Sequence, residues 1–108
     1  MTKWETLLEF FKIKDSNDFE QVVEILHEDF LYLRETTLVN KEEFLEHFKK
    51  RFIAGYQVED LKLICEDKDL LAWRDIVKED GKVFETTNVI LWKDDKMWRT
   101  IISLADIT

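Results

Sequence analysis

Apolar positions in this chain recur with two different periods, and the change from one to the other divides it into a helical part and a stranded part. Trp4, Leu7, Leu8 and Phe11 fall at i, i+3, i+4 and i+7, which predicts an amphipathic helix with Phe10 beside its stripe. Asp15-Ser16-Asn17-Asp18 interrupts the period, and Asn17 followed by Glu20 reads as a capping box for a second helix. That helix turns Phe19, Val22, Val23 and Leu26 inward and runs to about Glu28; the short link predicts an antiparallel helical pair. Phe30 to Thr37 is rich in β-formers and reads as a strand. Asn40 and Glu43 repeat the capping logic for a third helix, which presents Phe44, Leu45, Phe48 and Phe52 to the core and stops near Gly55.

From Gln57 onward the pattern alternates. Leu61, Leu63 and Cys65 precede a turn at Glu66-Asp67-Lys68-Asp69, and a strand from Leu70 to Val77 follows. A second turn, Lys78 to Gly81, uses a glycine able to take positive φ. Lys82 to Ile107 then reads as a long hairpin about Lys93-Asp94-Asp95-Lys96. One of its faces carries Phe84, Thr86, Asn88, Ile90, Trp92, Trp98, Thr100, Ile102 and Leu104. The other carries Val83, Glu85, Thr87, Val89, Leu91, Met97, Arg99, Ile101 and Ser103. Both faces are too apolar for open water, so the hairpin is expected at the centre with something packed on each side. The order predicts one α+β domain over residues 1–108, with three helices packed on one face of a curved antiparallel sheet.

Charge and composition narrow the function classes. A formal net charge of −8 repels polyanions and argues against a nucleic-acid binder. The one basic cluster, Lys49-Lys50-Arg51, sits late in a predicted helix, where cations suit the dipole. No apolar run reaches the ~20 residues needed to span a bilayer, and no signal peptide opens the chain, so no membrane association is expected. Cys65 is the single cysteine and cannot form an internal disulfide, which makes the cytoplasm the expected compartment. It reads as a small buried hydrophobe. Successive residues His27-Glu28-Asp29 at a helix end point in different directions, and two histidines with one cysteine make no zinc pattern. Neither a metal nor a cofactor is expected.

Three segments carry a family resemblance: DFEQVVEILHEDF in the second helix, NKEEFLEHF opening the third, and NVILWKDDKMWR across the hairpin turn. Together they resemble the nuclear-transport-factor-2-like superfamily, and within it the SnoaL-like and ketosteroid-isomerase-like proteins. The likeness covers nearly the whole chain and implies a cystatin-like cone whose open end is a pocket. The turn departs from the family pattern, with Asp95 where glycine is common. The isomerases of that family use a carboxylate base, an oxyanion-binding tyrosine and a neutral carboxylic acid. Matching without gaps places Arg34, Phe10 and Asn88 at those three positions. An arginine is no base near neutral pH and a phenyl ring has no proton to donate, so ketosteroid isomerase activity is not expected.

The same matching, with strand alternation, turns Arg34, Leu71, Trp73, Asp75, Phe84, Thr86, Asn88, Ile90, Thr100, Ile102 and Leu104 towards the pocket, joined by Phe10 and His47 from the helices. A mostly apolar, aromatic cavity with a few convergent polar groups is the usual composition of a small-molecule site. Arg34 either pairs with Asp75 as internal structure or, with Asn88, receives a carboxylate or carbonyl of a ligand. His47 either packs among Phe44, Phe48 and Arg51 or acts with Asp75 in a lyase or isomerase, being the one cavity group whose reference pKa lies near neutrality. Trp92 and Trp98, near the turn, read as core, and Trp73, mid-strand, as pocket wall. On the outer sheet face Ala72, Ile76, Val89, Leu91, Met97 and Ile101 form an apolar patch interrupted by Arg74, Glu85 and Arg99. Such a patch predicts a homodimer, which the family resemblance also implies. Three readings stay open: a small-ligand binder, an enzyme of the same shape, and a dimeric interaction module with a filled cavity.

Overall fold

The computed structural model describes residues 2–16, 19–54 and 57–108, and the side chains of all of these except 13–16, 19 and 51–54. The chain runs α1 (Lys3–Ser16), α2 (Phe19–Ile25), β1 (Leu26–Arg34), β2 (Thr37–Asn40), α3 (Lys41–Ala54), β3 (Gln57–Glu66), β4 (Leu70–Glu79), β5 (Lys82–Lys93) and β6 (Lys96–Asp106). The expected Asn17 cap and Gly55 stop lie outside the described residues, as do the side chains of Phe19, Arg51 and Phe52.

Capping residues start two of the helices. Asn40 Oδ1 accepts the Glu43 N–H at 3.0 Å while Glu43 Oε1 accepts the Asn40 N–H at 3.2 Å, the reciprocal box expected at α3. Thr2 and Glu5 make the same box at α1, and the backbone and side-chain hydrogen bonds from Thr2 hold the Glu5 carboxyl below its usual pKa. Among the described side chains of α1, Leu7 and Phe10 are the buried ones, so Phe10 belongs to the inward face rather than beside it.

The passage from α2 to β1 comes earlier than the pattern suggested. The helix stops at Ile25, and Leu26 already pairs with Met97 of β6. The next pairing is Leu31 with Arg99, so three extra residues of β1 bulge out between them. His27 is buried in that bulge. Its Nδ1 accepts the Asp29 N–H at 3.0 Å, and Nε2 lies 3.3 Å from Asp94 in the β5–β6 turn. A helical reading of EILHE fails because Leu26 already joins the sheet beside Met97, and His27 is buried in the bulge that follows. The strand expected from Phe30 to Thr37 likewise divides into β1 and β2 about Glu35, at φ 56°.

The six strands form one open, curved sheet in the order β2-β1-β6-β5-β4-β3. All neighbours are antiparallel except β1 and β6, which run parallel, so the sheet is mixed rather than wholly antiparallel. β6 carries a bulge of its own: Leu91 pairs with Arg99 and Trp92 with Met97, leaving Trp98 as the extra residue. That one-residue slip reverses the facing of everything nearer the turn. Met97, expected on the outer face, is therefore buried in the core beside Trp92 and Leu26, while Trp98 turns out beneath the cations of Lys93 and Arg99. The edge strand β3 bulges at Asp60, φ 53°, and again near Ile64, which discourages pairing along its free edge. Cys65 on β3 is exposed, not buried.

Besides Glu35, two further tight turns use left-handed backbone. Asp80-Gly81 joins β4 to β5, and Asp94-Asp95 joins β5 to β6 with φ of 54° and 59°. A Cβ at positive φ is strained, though aspartate tolerates it better than most residues. Asp95→Gly should raise the free energy of unfolding by about 1 kcal/mol, read as a higher denaturant midpoint at unchanged slope. A lower midpoint would mean that the Asp95 side chain itself stabilises the turn.

Candidate functional site

The helices lie against the concave face of the sheet, and strand alternation decides which side chains meet there. Along β4, Leu71, Trp73, Asp75 and Val77 are buried while Arg74 is exposed; along β5 the same holds for Thr86, Asn88, Ile90 and Trp92. Between sheet and helices is an inner chamber of about 90 Å³. Phe10, Arg34, Trp73, Asp75, Thr86, Asn88, Thr100 and Ile102 line it, as do Ile90 and Leu104. Leu71 does not: it is wholly buried within the core. Phe84 is half-buried and also outside the lining.

One wall of the chamber is aromatic. Phe10 stands 5.6 Å from Phe48, Phe48 stacks on Phe44 at 5.5 Å, and Phe44 meets Phe30 at 5.0 Å and Tyr32 at 4.8 Å, centroid to centroid. The helical period marked Phe44 and Phe48 as core, but whether a ring faces solid core or open space depends on the sheet's curvature. No local pattern encodes that.

The opposite wall is a compact polar cluster. Asp75, 4% exposed, accepts the indole N–H of Trp73 at 2.9 Å and the hydroxyl of Thr86. The Asn88 amide donates to Thr86 Oγ1 at 2.9 Å, with Asp75 Oδ2 and the Trp73 carbonyl each at 3.4 Å. Donors thus converge on both carboxyl oxygens of Asp75, Oδ1 and Oδ2. The Asn88 orientation follows from the same neighbours, because the reversed amide would set Oδ1 against carboxylate and carbonyl oxygens.

Arg34 does not pair with Asp75. Its Nη2 lies 2.8 Å from Glu79 Oε2, with both side chains 22% exposed. The sequence pattern reads Lys78 to Gly81 as a turn and so passes over Glu79. Strand β4 in fact continues to Glu79, two residues beyond Val77 on the face that also bears Asp75, and that parity was the available signal. His47 also departs from expectation. It is exposed on α3 and lines a second cavity of about 300 Å³, with Tyr32, Arg34, Glu35, Thr37, Val39, Phe44, Phe48 and Leu104. The inner chamber that Asp75 lines does not include His47. Tyr32, Arg34, Phe44, Phe48 and Leu104 border both cavities, so the two adjoin, with the larger in the position of a vestibule to the smaller.

No family model matches the sequence, and no curated protein matches it. Solved structures share its shape. An NTF2-like protein of unknown function from Cytophaga hutchinsonii superposes with a TM-score of 0.82 at 13% identity, covering 97% of this chain and 91% of that one. A candidate polyketide cyclase from Sinorhizobium meliloti gives 0.72 at 22% identity, covering 86% and 88%. A candidate ketosteroid isomerase from Kribbella flavida gives 0.77 at 13% identity, covering 92% and 74%. The chain thus has the α+β cone fold of the nuclear-transport-factor-2-like superfamily, which includes SnoaL-like proteins. At these identities the likeness establishes the fold alone.

Proposed function

We propose that this protein binds a small, elongated, largely apolar ligand through the vestibule and inner chamber, with a polar head held at the mouth by Arg34. The observation that carries this reading is the shared border: the same five residues line both cavities, and Arg34 is the cation among them. An engineered apolar cavity of about 150 Å³ holds benzene, so the chamber as it stands takes only the narrow end of a ligand and the vestibule takes the rest. Arg34 uses Nη2 on Glu79 and keeps further N–H donors for a carboxylate or carbonyl. The protein acts as a cytoplasmic homodimer in this reading; its lone cysteine offers no internal disulfide to an oxidising compartment.

Neighbours of the same fold are described as candidate polyketide cyclases and a candidate isomerase. Nothing at this site favours their chemistry here. The base, tyrosine and acid positions of the isomerases hold Arg34, Phe10 and Asn88, and a His47–Asp75 couple is unsupported because the two open onto different cavities. A thermal-shift panel of aryl and alkyl carboxylates tests the reading, since ligands raise apparent stability by mass action. Arg34→Met should weaken carboxylate binding by about tenfold or more, while leaving uncharged ligands of the same body unchanged. Equal affinity of the two proteins for carboxylates would remove Arg34 from the site.

A further inference from the structure

The polar atoms that the inner chamber leaves unused point to the chemistry of the ligand's buried end. Both N–H groups of Asn88 are committed within the cluster, to Thr86 and towards Asp75 and the Trp73 carbonyl. The indole N–H of Trp73 and the Thr86 hydroxyl are committed to Asp75. What Asn88, 2% exposed, turns away from the cluster is its carbonyl oxygen Oδ1, an acceptor. Thr100 supplies the second open atom. It is 7% exposed and lines the chamber, and its hydroxyl makes no hydrogen bond among the described residues. Asn88 pairs with Ile102 and Thr100 with Ile90, so the two are diagonal neighbours on the inner face, roughly 7–8 Å apart. An acceptor and a hydroxyl at that spacing can bracket one small polar group.

We infer that the inner chamber recognises a neutral hydroxyl, phenolic in character: its O–H donates to Asn88 Oδ1 and its oxygen accepts from Thr100. The inference rests on the ligand-binding reading above and adds the identity of the buried end. A carboxylate is disfavoured at that end, because it would face the Asp75 carboxylate and the Asn88 carbonyl, while the guanidinium of Arg34 lies at the border shared with the vestibule. The ring chain from Phe10 to Tyr32 offers an aromatic body edge-on and stacked contacts. An isostere lacking the donor leaves two buried polar atoms unpaired, which is where a polar site discriminates most sharply.

The test is a calorimetric or NMR titration of the purified protein with p-cresol, p-xylene and 4-methylbenzoate. p-Cresol should bind about tenfold tighter than p-xylene, the cost of one lost buried hydrogen bond. In Thr100→Val, an isosteric change checked for folding by circular dichroism, that preference should shrink to about threefold. Equal binding of p-cresol and p-xylene to the wild-type protein overturns the hydroxyl inference while leaving the cavity a ligand site. Preferred binding of 4-methylbenzoate that is lost in Arg34→Met does the same and moves the polar recognition to the mouth. No binding of any of the three overturns both readings.

Discussion

Asp75→Ala is expected to lower the free energy of unfolding by about 3 kcal/mol, and Tm by roughly 15 °C. The magnitude follows from what the substitution leaves behind. The Trp73 indole N–H and the Thr86 hydroxyl lose their acceptor outright, and the Asn88 amide loses one of its three oxygen neighbours. Each orphaned buried donor costs about 1–3 kcal/mol. The hydrophobic area gained by alanine does not compensate, because the void opens beside polar atoms. Asp75→Asn should cost less, about 1–2 kcal/mol, since one carboxamide oxygen still accepts while its NH2 opposes the indole. Urea unfolding of the three proteins checks both values. A loss under about 1 kcal/mol for Asp75→Ala would show that water enters and satisfies the donors, and that the chamber is wetter than its apolar lining suggests.

This cluster also shows how far the residues alone could be read. Alternation along β4 and β5 alone places Trp73, Asp75, Thr86 and Asn88 on one face, because a period of two is a strict geometric rule. The rule could not say who pairs with whom. Charge alone offers Asp75 as one partner for Arg34, whereas the fold gives Arg34 Glu79 and gives Asp75 neutral donors. A pairing across β1 and β4 depends on sheet order, and β1 reaches its place through a parallel junction to β6 that no hairpin signal announces. Both facing errors have one kind of cause. The facing of Met97 and of the start of β1 differs from the pattern because a bulge inserts residues without leaving a mark in hydrophobicity. His47 was drawn into the cavity by its place near Phe44 and Phe48, yet one step along a helix is about 100° of rotation, enough to move it from chamber to vestibule.

Ile101→Asp is the substitution expected to change assembly most, converting the proposed dimer into monomers at micromolar concentration. The three helices occupy the concave face, which leaves the convex face of the sheet uncovered within one chain. Across that face one register row is apolar from edge to edge. Leu38 pairs with Leu33, Leu33 with Ile101, Ile101 with Val89, Val89 with Ala72, and Ala72 with Cys65. Six strands at normal spacing make this row roughly 24 Å long, and Ile101 and Leu38 are 45% and 60% exposed. The adjacent row adds Leu31, Leu91 and Leu70, with Arg99 between the first two. A two-fold axis through Ile101 would lay the row on its own copy, the self-complementary contact that closes a dimer. Ile76, named for this face from the pattern, pairs with Glu59 and Glu85 and so belongs to the charged margin rather than to the row. Arg99 is a poor site for the test, because its guanidinium holds the Asp29 and Trp98 carbonyls and lies 4.0 Å over the Trp98 ring. Its loss would loosen the β1 bulge as well as any interface. Ile101→Asp makes no such change to the fold, yet in the dimer it would bury two carboxylates face to face, costing several kcal/mol and weakening association by at least a thousandfold. Sedimentation of both proteins across a concentration series distinguishes the cases: a wild-type protein that stays monomeric into the tens of micromolar assigns the apolar row to a different partner.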